Sequence, residues 1–319
     1  MARYDGLFSP RQARPRIRAR PPDRVPRPTL RERLRGAQGH VPLGEQALTA
    51  LRLAGRMATS GLRALPDFLI LGAAKCGTTS LYVDLRAHPE VRRALRKEVW
   101  FFDQTYHRGE SWYRSFFPLR SSLGGADGRD RAVTGEATPC YLFHPLAPAR
   151  VAETTPDAKL IVQLRDPVAR AHSYYHQVRR FGLEWLGFEE AIDEEPERLA
   201  GEEERILRDP TYFSFNRQYY SYLARGRYAE QLEGWLERFP RERILVLFAE
   251  ELWANPREGF RAVTDFLGIG RWQPPAPAHR KRSDHRPMAP GTRRRLEESF
   301  RPHDERLSDL LGRHLPWRK

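Results

Sequence analysis

Gly72-Ala73-Ala74-Lys75-Cys76-Gly77-Thr78-Thr79-Ser80 combines a cation, a permissive glycine and three consecutive hydroxyls. The apolar run before it reads as a strand and the pattern after it as a helix. A strand–turn–helix junction leaves backbone N–H groups without partners, and the helix dipole adds positive charge at the same place. Gly77 lets the backbone approach a phosphate closely. Thr78, Thr79 and Ser80 add donors, and Lys75 supplies a mobile cation, so the expected chemistry is anion binding. A glycine turn with a Ser or Thr N-cap would explain Gly77 and one hydroxyl, but it leaves Lys75 and the other hydroxyls without a reason. The triphosphate pattern G-x-x-x-x-G-K-[ST] puts its lysine after the second glycine. Here Lys75 precedes Gly77, and Thr78 follows it directly.

The order K-x-G-T-T-[ST] resembles the 5′-phosphosulfate loop of sulfotransferases that use adenosine 3′-phosphate 5′-phosphosulfate (PAPS), enzymes that share a fold with nucleotide kinases. Leu164 to Tyr175 also resembles that family's 3′-phosphate segment, R-[DN]-P-x-x-R-x-x-S-x-Y. The resemblance implies that Lys75, Cys76, Gly77, Thr78, Thr79 and Ser80 hold the 5′-phosphosulfate and that Arg165 and Ser173 hold the 3′-phosphate. An Arg fork suits a phosphate, and the spacing puts Ser173 about two helical turns further on. Arg280 and Lys281, with Arg282 beside them, stand where relatives carry a basic loop over the nucleotide phosphates.

Two further stretches belong to the acceptor side. Lys97 to Asp103 resembles the E-x-H-F-F-D stretch of glucosaminyl 3-O-sulfotransferases of the heparan sulfate type. The resemblance makes Glu98 the base and Asp103 its supporting carboxylate, with Trp100 in place of the family's His at the acceptor. Gly135 to Tyr141 resembles the G-E-K-T-P-x-Y stretch along the acceptor cleft. It brings Thr138 and Tyr141 to that cleft and has Ala137 where the family has Lys. The implied reaction is in-line transfer of a sulfuryl group from PAPS to a hydroxyl or amine, preferably of a saccharide or glycoconjugate. It leaves adenosine 3′,5′-bisphosphate and needs no Mg²⁺. Two readings of other kinds stand beside it: a P-loop-like kinase using ATP, and a polyanion-binding protein acting through the basic N-terminal arm.

These residues require a frame. Apolar runs at 68–71, 159–164 and 243–248 read as buried strands, and helical patterns fall at 79–87, 167–181, 216–238, 256–267 and 291–312. The alternation predicts α/β architecture: a P-loop-kinase-like parallel sheet flanked by helices, in one domain over 66–319. Within it Tyr228 and Trp235 read as core aromatics, and the acidic stretch 187–210 as an exposed helix and loop. Residues 1–43 read as a disordered basic arm and 44–65 as an amphipathic helix packed on the domain or on an anionic surface. Fourteen Arg against four acidic residues in 1–64 place ten of the fourteen net positive charges there. Two cysteines, Cys76 and Cys140, argue against a disulfide framework or structural zinc and for a reducing compartment. No metal is assigned. No run is long and apolar enough for a transmembrane helix and no h-region follows Met1, so a cytoplasmic location is expected.

Overall fold

The computed structural model describes residues 52–124, 131–274 and 287–318. Five parallel strands form one sheet in the order β2-β3-β1-β4-β5. They are β1 (Phe68–Gly72), β2 (Val91–Arg93), β3 (Val133–Ala137), β4 (Lys159–Leu164) and β5 (Ile244–Phe248). β1 lies at the centre, paired with β3 on one side and β4 on the other.

The apolar runs are continuous because both faces of the sheet are covered. Leu69, Leu71, Leu160, Val162 and Leu164 pack on one side with Leu232, Trp235 and Leu307. Phe68, Ile70 and Ile161 pack on the other with Leu81, Leu85, Phe260 and Val263. Helices Thr78–Leu85, Pro167–Arg180 and Tyr228–Leu236 lie between strands, and Pro256–Leu267 and Pro290–Leu311 follow β5. Tyr228 and Trp235 are buried core aromatics, as expected.

Two strands escape a reading based on apolar runs. β2 has three residues, of which only Val91 is buried. β3 buries Thr134, Gly135 and Glu136, so its sequence looks polar although every residue is inside. Gly135 sits against β1: a Cβ there would lie 2.4 Å from the Phe68 carbonyl oxygen. Gly135→Ala should therefore cost about 3 kcal/mol through overpacking against backbone. Urea denaturation measures it, and an unchanged midpoint would contradict the close approach.

One expected helix is interrupted, for a physical reason that lies in the acidic stretch before it. The expected 216–238 helix is broken into Phe215–Tyr219 and Tyr228–Leu236. The buried Glu195 carboxylate accepts the Leu223 and Ala224 N–H groups, at 2.6 and 2.8 Å, which a continuous helix would have used itself. The acidic stretch is largely exposed, as expected. It forms short helices at Phe188–Asp193, Glu195–Leu199 and Glu202–Arg208, with Glu195 and Glu202 buried.

Of the expected 44–65 helix, residues 52–57 are helical and Ser60–Leu62 form a 3-10 turn. Met57 and Leu62 are exposed, whereas Leu53 and Leu65 pack on the core. Arg63 anchors the segment by donating to the Phe117 carbonyl at 3.0 Å. Residues 44–51 and the arm 1–43 lie outside the described residues.

Candidate active site

The chemistry-bearing residues gather at the C-terminal edge of the sheet. β1 ends at Gly72, and the Thr78–Leu85 helix starts after Gly77, whose φ of 98° is left-handed. Within the loop Cys76 donates its N–H to the Ala73 carbonyl (3.2 Å) and Ser80 to that of Gly77 (2.9 Å). The N–H groups of Gly77, Thr78 and Thr79 have no protein acceptor among the described residues. A Cβ on Gly77 would lie 3.0 Å from the Gln163 amide nitrogen, and that fully buried amide has no hydrogen-bond partner among the described residues. Free donors, a turn that tolerates no side chain and an unsatisfied amide beneath it suit an anion cradle. Cys76, expected among the donors, adds none: its N–H is taken by Ala73, its side chain is buried with the sulfur 3.8 Å from the Tyr228 hydroxyl, and burial pushes the thiol up to about 11.

Arg165 follows β4 and closes one side of the loop. Its Nη1 is 3.5 Å from the Lys75 carbonyl oxygen, and its guanidinium lies 5.1 Å from the Trp253 ring centre. Asp166 caps the next helix by accepting the Val168 N–H at 2.9 Å, with Pro167 in the first turn. Ser173 lies along that helix, between His172 and His176. The expectation of no metal passes over these two histidines, which are four residues apart with Nε2 atoms 3.1 Å from each other. Among the described residues no group of three or more His, Cys, Asp or Glu could hold a metal ion.

The acceptor-side segment is placed by β3. The Ala137 N–H donates to the Lys97 carbonyl at 3.2 Å, which brings Glu98 beside the strand that neighbours β1. Glu98 pairs with Lys97 and keeps 34% of its side chain exposed. Behind it lies a hub that sequence reasoning missed, the fully buried Glu136. Its carboxylate accepts from Tyr113 (2.9 Å), Tyr141 (2.8 Å), Thr138 (2.6 Å) and the Val99 N–H (3.2 Å). Tyr141 in turn accepts the Phe101 N–H at 2.9 Å. Burial raises the Glu136 pKa. The structure thus puts Thr138 and Tyr141 wholly inside, fixing 99–101 from behind, with no surface of their own on a cleft. Their polar spacing around Glu136 was the only trace of the hub in the sequence.

Trp100 is left-handed at φ 55°, with the Arg96 guanidinium 4.6 Å from its ring centre. Among the described residues Lys75 and Trp100 are the only non-glycine residues with positive φ. Such conformations cost about 1–3 kcal/mol and concentrate at functional sites. Here one stands in the anion loop and the other two residues after Glu98. Asp103 follows in the Phe101–Thr105 turn, buried, with neither carboxylate oxygen hydrogen-bonded in the described structure. Arg280 and Lys281 lie outside the described residues, as does Arg282.

The sulfotransferase-domain family model matches residues 65–276. The chain belongs to the sulfotransferase family. Curated relatives include mouse heparan sulfate glucosamine 3-O-sulfotransferase 3B1, 32% identical over 81% of this chain and 66% of that enzyme. The human heparan sulfate glucosamine 3-O-sulfotransferase 6 is 32% identical over 81% of this chain and 75% of its own length. The chain thus spans about two thirds of the length of such relatives. A crystal structure of a sulfotransferase from Alicyclobacillus acidocaldarius is 31% identical, with a TM-score of 0.63 over 80% of this chain and all of that one. The expected P-loop-kinase-like parallel sheet is thereby the fold of this sulfotransferase-family chain. No helix among its described residues is long and apolar enough to cross a membrane.

Proposed function

We propose that this protein transfers the sulfuryl group of PAPS to a hydroxyl of a saccharide-like acceptor. The observation that carries the reading is the cradle at Gly77–Thr79, flanked by Arg165, at the same end of the sheet as Glu98. Two phosphate-binding elements within reach of one another suit a nucleotide phosphorylated at both 3′ and 5′. The heparan sulfate names of the relatives support the saccharide class.

Each residue then has a chemical task. The N–H groups of Gly77, Thr78 and Thr79, with Lys75, hold the 5′-phosphosulfate and stabilise the charge that builds on the phosphate oxygen as its bond to sulfur breaks. Arg165 and Ser173 hold the 3′-phosphate. Glu98 accepts the proton of the attacking hydroxyl as the new oxygen–sulfur bond forms in line. Glu136, Thr138 and Tyr141 act from behind by fixing the backbone of 99–101, on which Glu98 depends.

Calorimetry with adenosine 3′,5′-bisphosphate in EDTA tests the donor assignment. Metal-independent binding, tighter than that of ATP with Mg²⁺, is expected; the reverse order would favour the kinase reading. Transfer of ³⁵S from labelled PAPS to a panel of saccharides tests the acceptor class.

A further inference from the structure

Trp253 is a large apolar side chain that faces solvent, 42% exposed. It lies in the helix Ala249–Ala254, directly after β5. The pairing of Leu164 with Phe248 puts the start of that helix beside the end of β4, where Arg165 follows. We infer that Trp253 positions Arg165 for the 3′-phosphate and so sets how strongly the site prefers a nucleotide phosphorylated at the 3′ position. The inference rests on the donor reading of Arg165 and deepens it.

The Arg165 guanidinium carbon lies 5.1 Å from the Trp253 ring centre. That is inside the range of about 6 Å in which an aromatic face attracts a cation. The ring quadrupole holds the charge, so no oxygen acceptor is needed to fix the side chain. A carboxylate in the same place would take the N–H fork that a phosphate requires. Among the described residues no carboxylate lies within salt-bridge distance of Arg165, and its Nη1 contact with the Lys75 carbonyl is long, at 3.5 Å. The indole therefore orients the cation while leaving its donors for a ligand.

The contacts around this corner serve the same end. Glu250 and Trp253 stand three residues apart, on one face of their helix. Glu250 Oε1 accepts the Asp166 N–H at 3.0 Å, which ties the backbone beside Arg165 to the helix that carries Trp253. Arg313 Nη2 in turn donates to Glu251 of that helix at 2.8 Å. The Tyr228 hydroxyl donates to the Arg165 carbonyl at 2.9 Å. Asp166 is the carboxylate next to Arg165 in sequence, and both of its oxygens are engaged. Oδ1 accepts the Val168 N–H at 2.9 Å, and Oδ2 accepts from Arg293 at 2.7 Å. Hydrogen bonds thus fix the backbone at Arg165, and the indole fixes its side chain. A guanidinium ordered in advance loses less conformational entropy when a phosphate binds. Trp253 acts through Arg165, as a positioning residue.

Calorimetry on the full chain with adenosine 3′,5′-bisphosphate and adenosine 5′-phosphate tests this, because the ratio of the two affinities isolates the 3′-phosphate. Trp253→Leu keeps an apolar side chain and removes the aromatic face. It should weaken bisphosphate binding by about tenfold, the scale of one cation–aromatic contact. Binding of adenosine 5′-phosphate should stay within about twofold, which also reports that the variant is folded. Trp253→Phe should recover most of the loss. In an Arg165→Gln background Trp253→Leu should leave the ratio unchanged, because no cation remains for the ring to hold. A wild-type ratio in Trp253→Leu, an equal loss for both nucleotides, or an undiminished further loss in the double variant would overturn the role of Trp253. A wild-type protein that binds both nucleotides equally, or neither, is a different result. It counts against the donor reading of Arg165, and the role of Trp253 falls with it.

Discussion

Lys75→Ala should lower turnover on the order of 10²–10³-fold, the usual effect of removing one preorganised donor from developing negative charge. The backbone around Lys75 allows that loss to be separated from damage to the fold. Lys75 sits at φ 73°, a left-handed conformation that alanine tolerates no better than lysine. Glycine adopts it freely, so Lys75→Gly should unfold at higher denaturant than Lys75→Ala by about 1 kcal/mol. Both variants should nonetheless be equally slow, because both lack the ammonium group. Activity and stability then move apart, which is the signature of a residue strained for a task. Turnover above one tenth of wild type in both variants would remove Lys75 from the transition state.

The contrast between the donor and acceptor sides shows what sequence can carry. The donor loop is contiguous, and its meaning follows from local rules: a strand, a turn that needs a left-handed glycine, then a helix start. The strands on either side of that loop's own strand behave differently. β4 reads directly because Leu160, Ile161, Val162 and Leu164 face packed layers on both sides. β3 does not, because its buried Glu136 and Thr134 also need partners far along the chain. Tyr113 reaches Glu136 from 23 positions away and the Val99 N–H from 37, distances at which no periodicity operates. Thr138 and Tyr141 stand close to Glu136 in sequence, yet they hold 99–101 from far along the chain. Sequence places them near the acceptor, and the structure adds that they work from inside. The helix read at 216–238 is interrupted where Glu195 takes the Leu223 and Ala224 N–H groups. That break is itself a long-range hydrogen-bonding event. What stayed hidden is therefore the set of polar contacts between segments distant in sequence.

Glu98→Gln should keep bisphosphate binding and lose turnover by about 10²–10⁴-fold, the range in which a positioned general base contributes. Three carboxylates stand on the acceptor side, and exposure distinguishes them. Glu136 is fully buried, and its oxygens are engaged by Tyr113, Tyr141, Thr138 and the Val99 N–H. Asp103 is 9% exposed and its oxygens are enclosed. Glu98 keeps 34% of its side chain in solvent, so it is the carboxylate that an incoming hydroxyl can meet. Glutamine preserves the shape and removes the proton acceptor, so the loss should appear in kcat and not in the affinity for the bisphosphate. Asp103→Asn should behave differently, lowering kcat far less than Glu98→Gln does, because the enclosed Asp103 oxygens do not meet the hydroxyl that Glu98 deprotonates. If instead Asp103→Asn abolished kcat and Glu98→Gln turned over near the wild-type rate, the base would be Asp103, and Glu98 would be a solvent-exposed partner of Lys97.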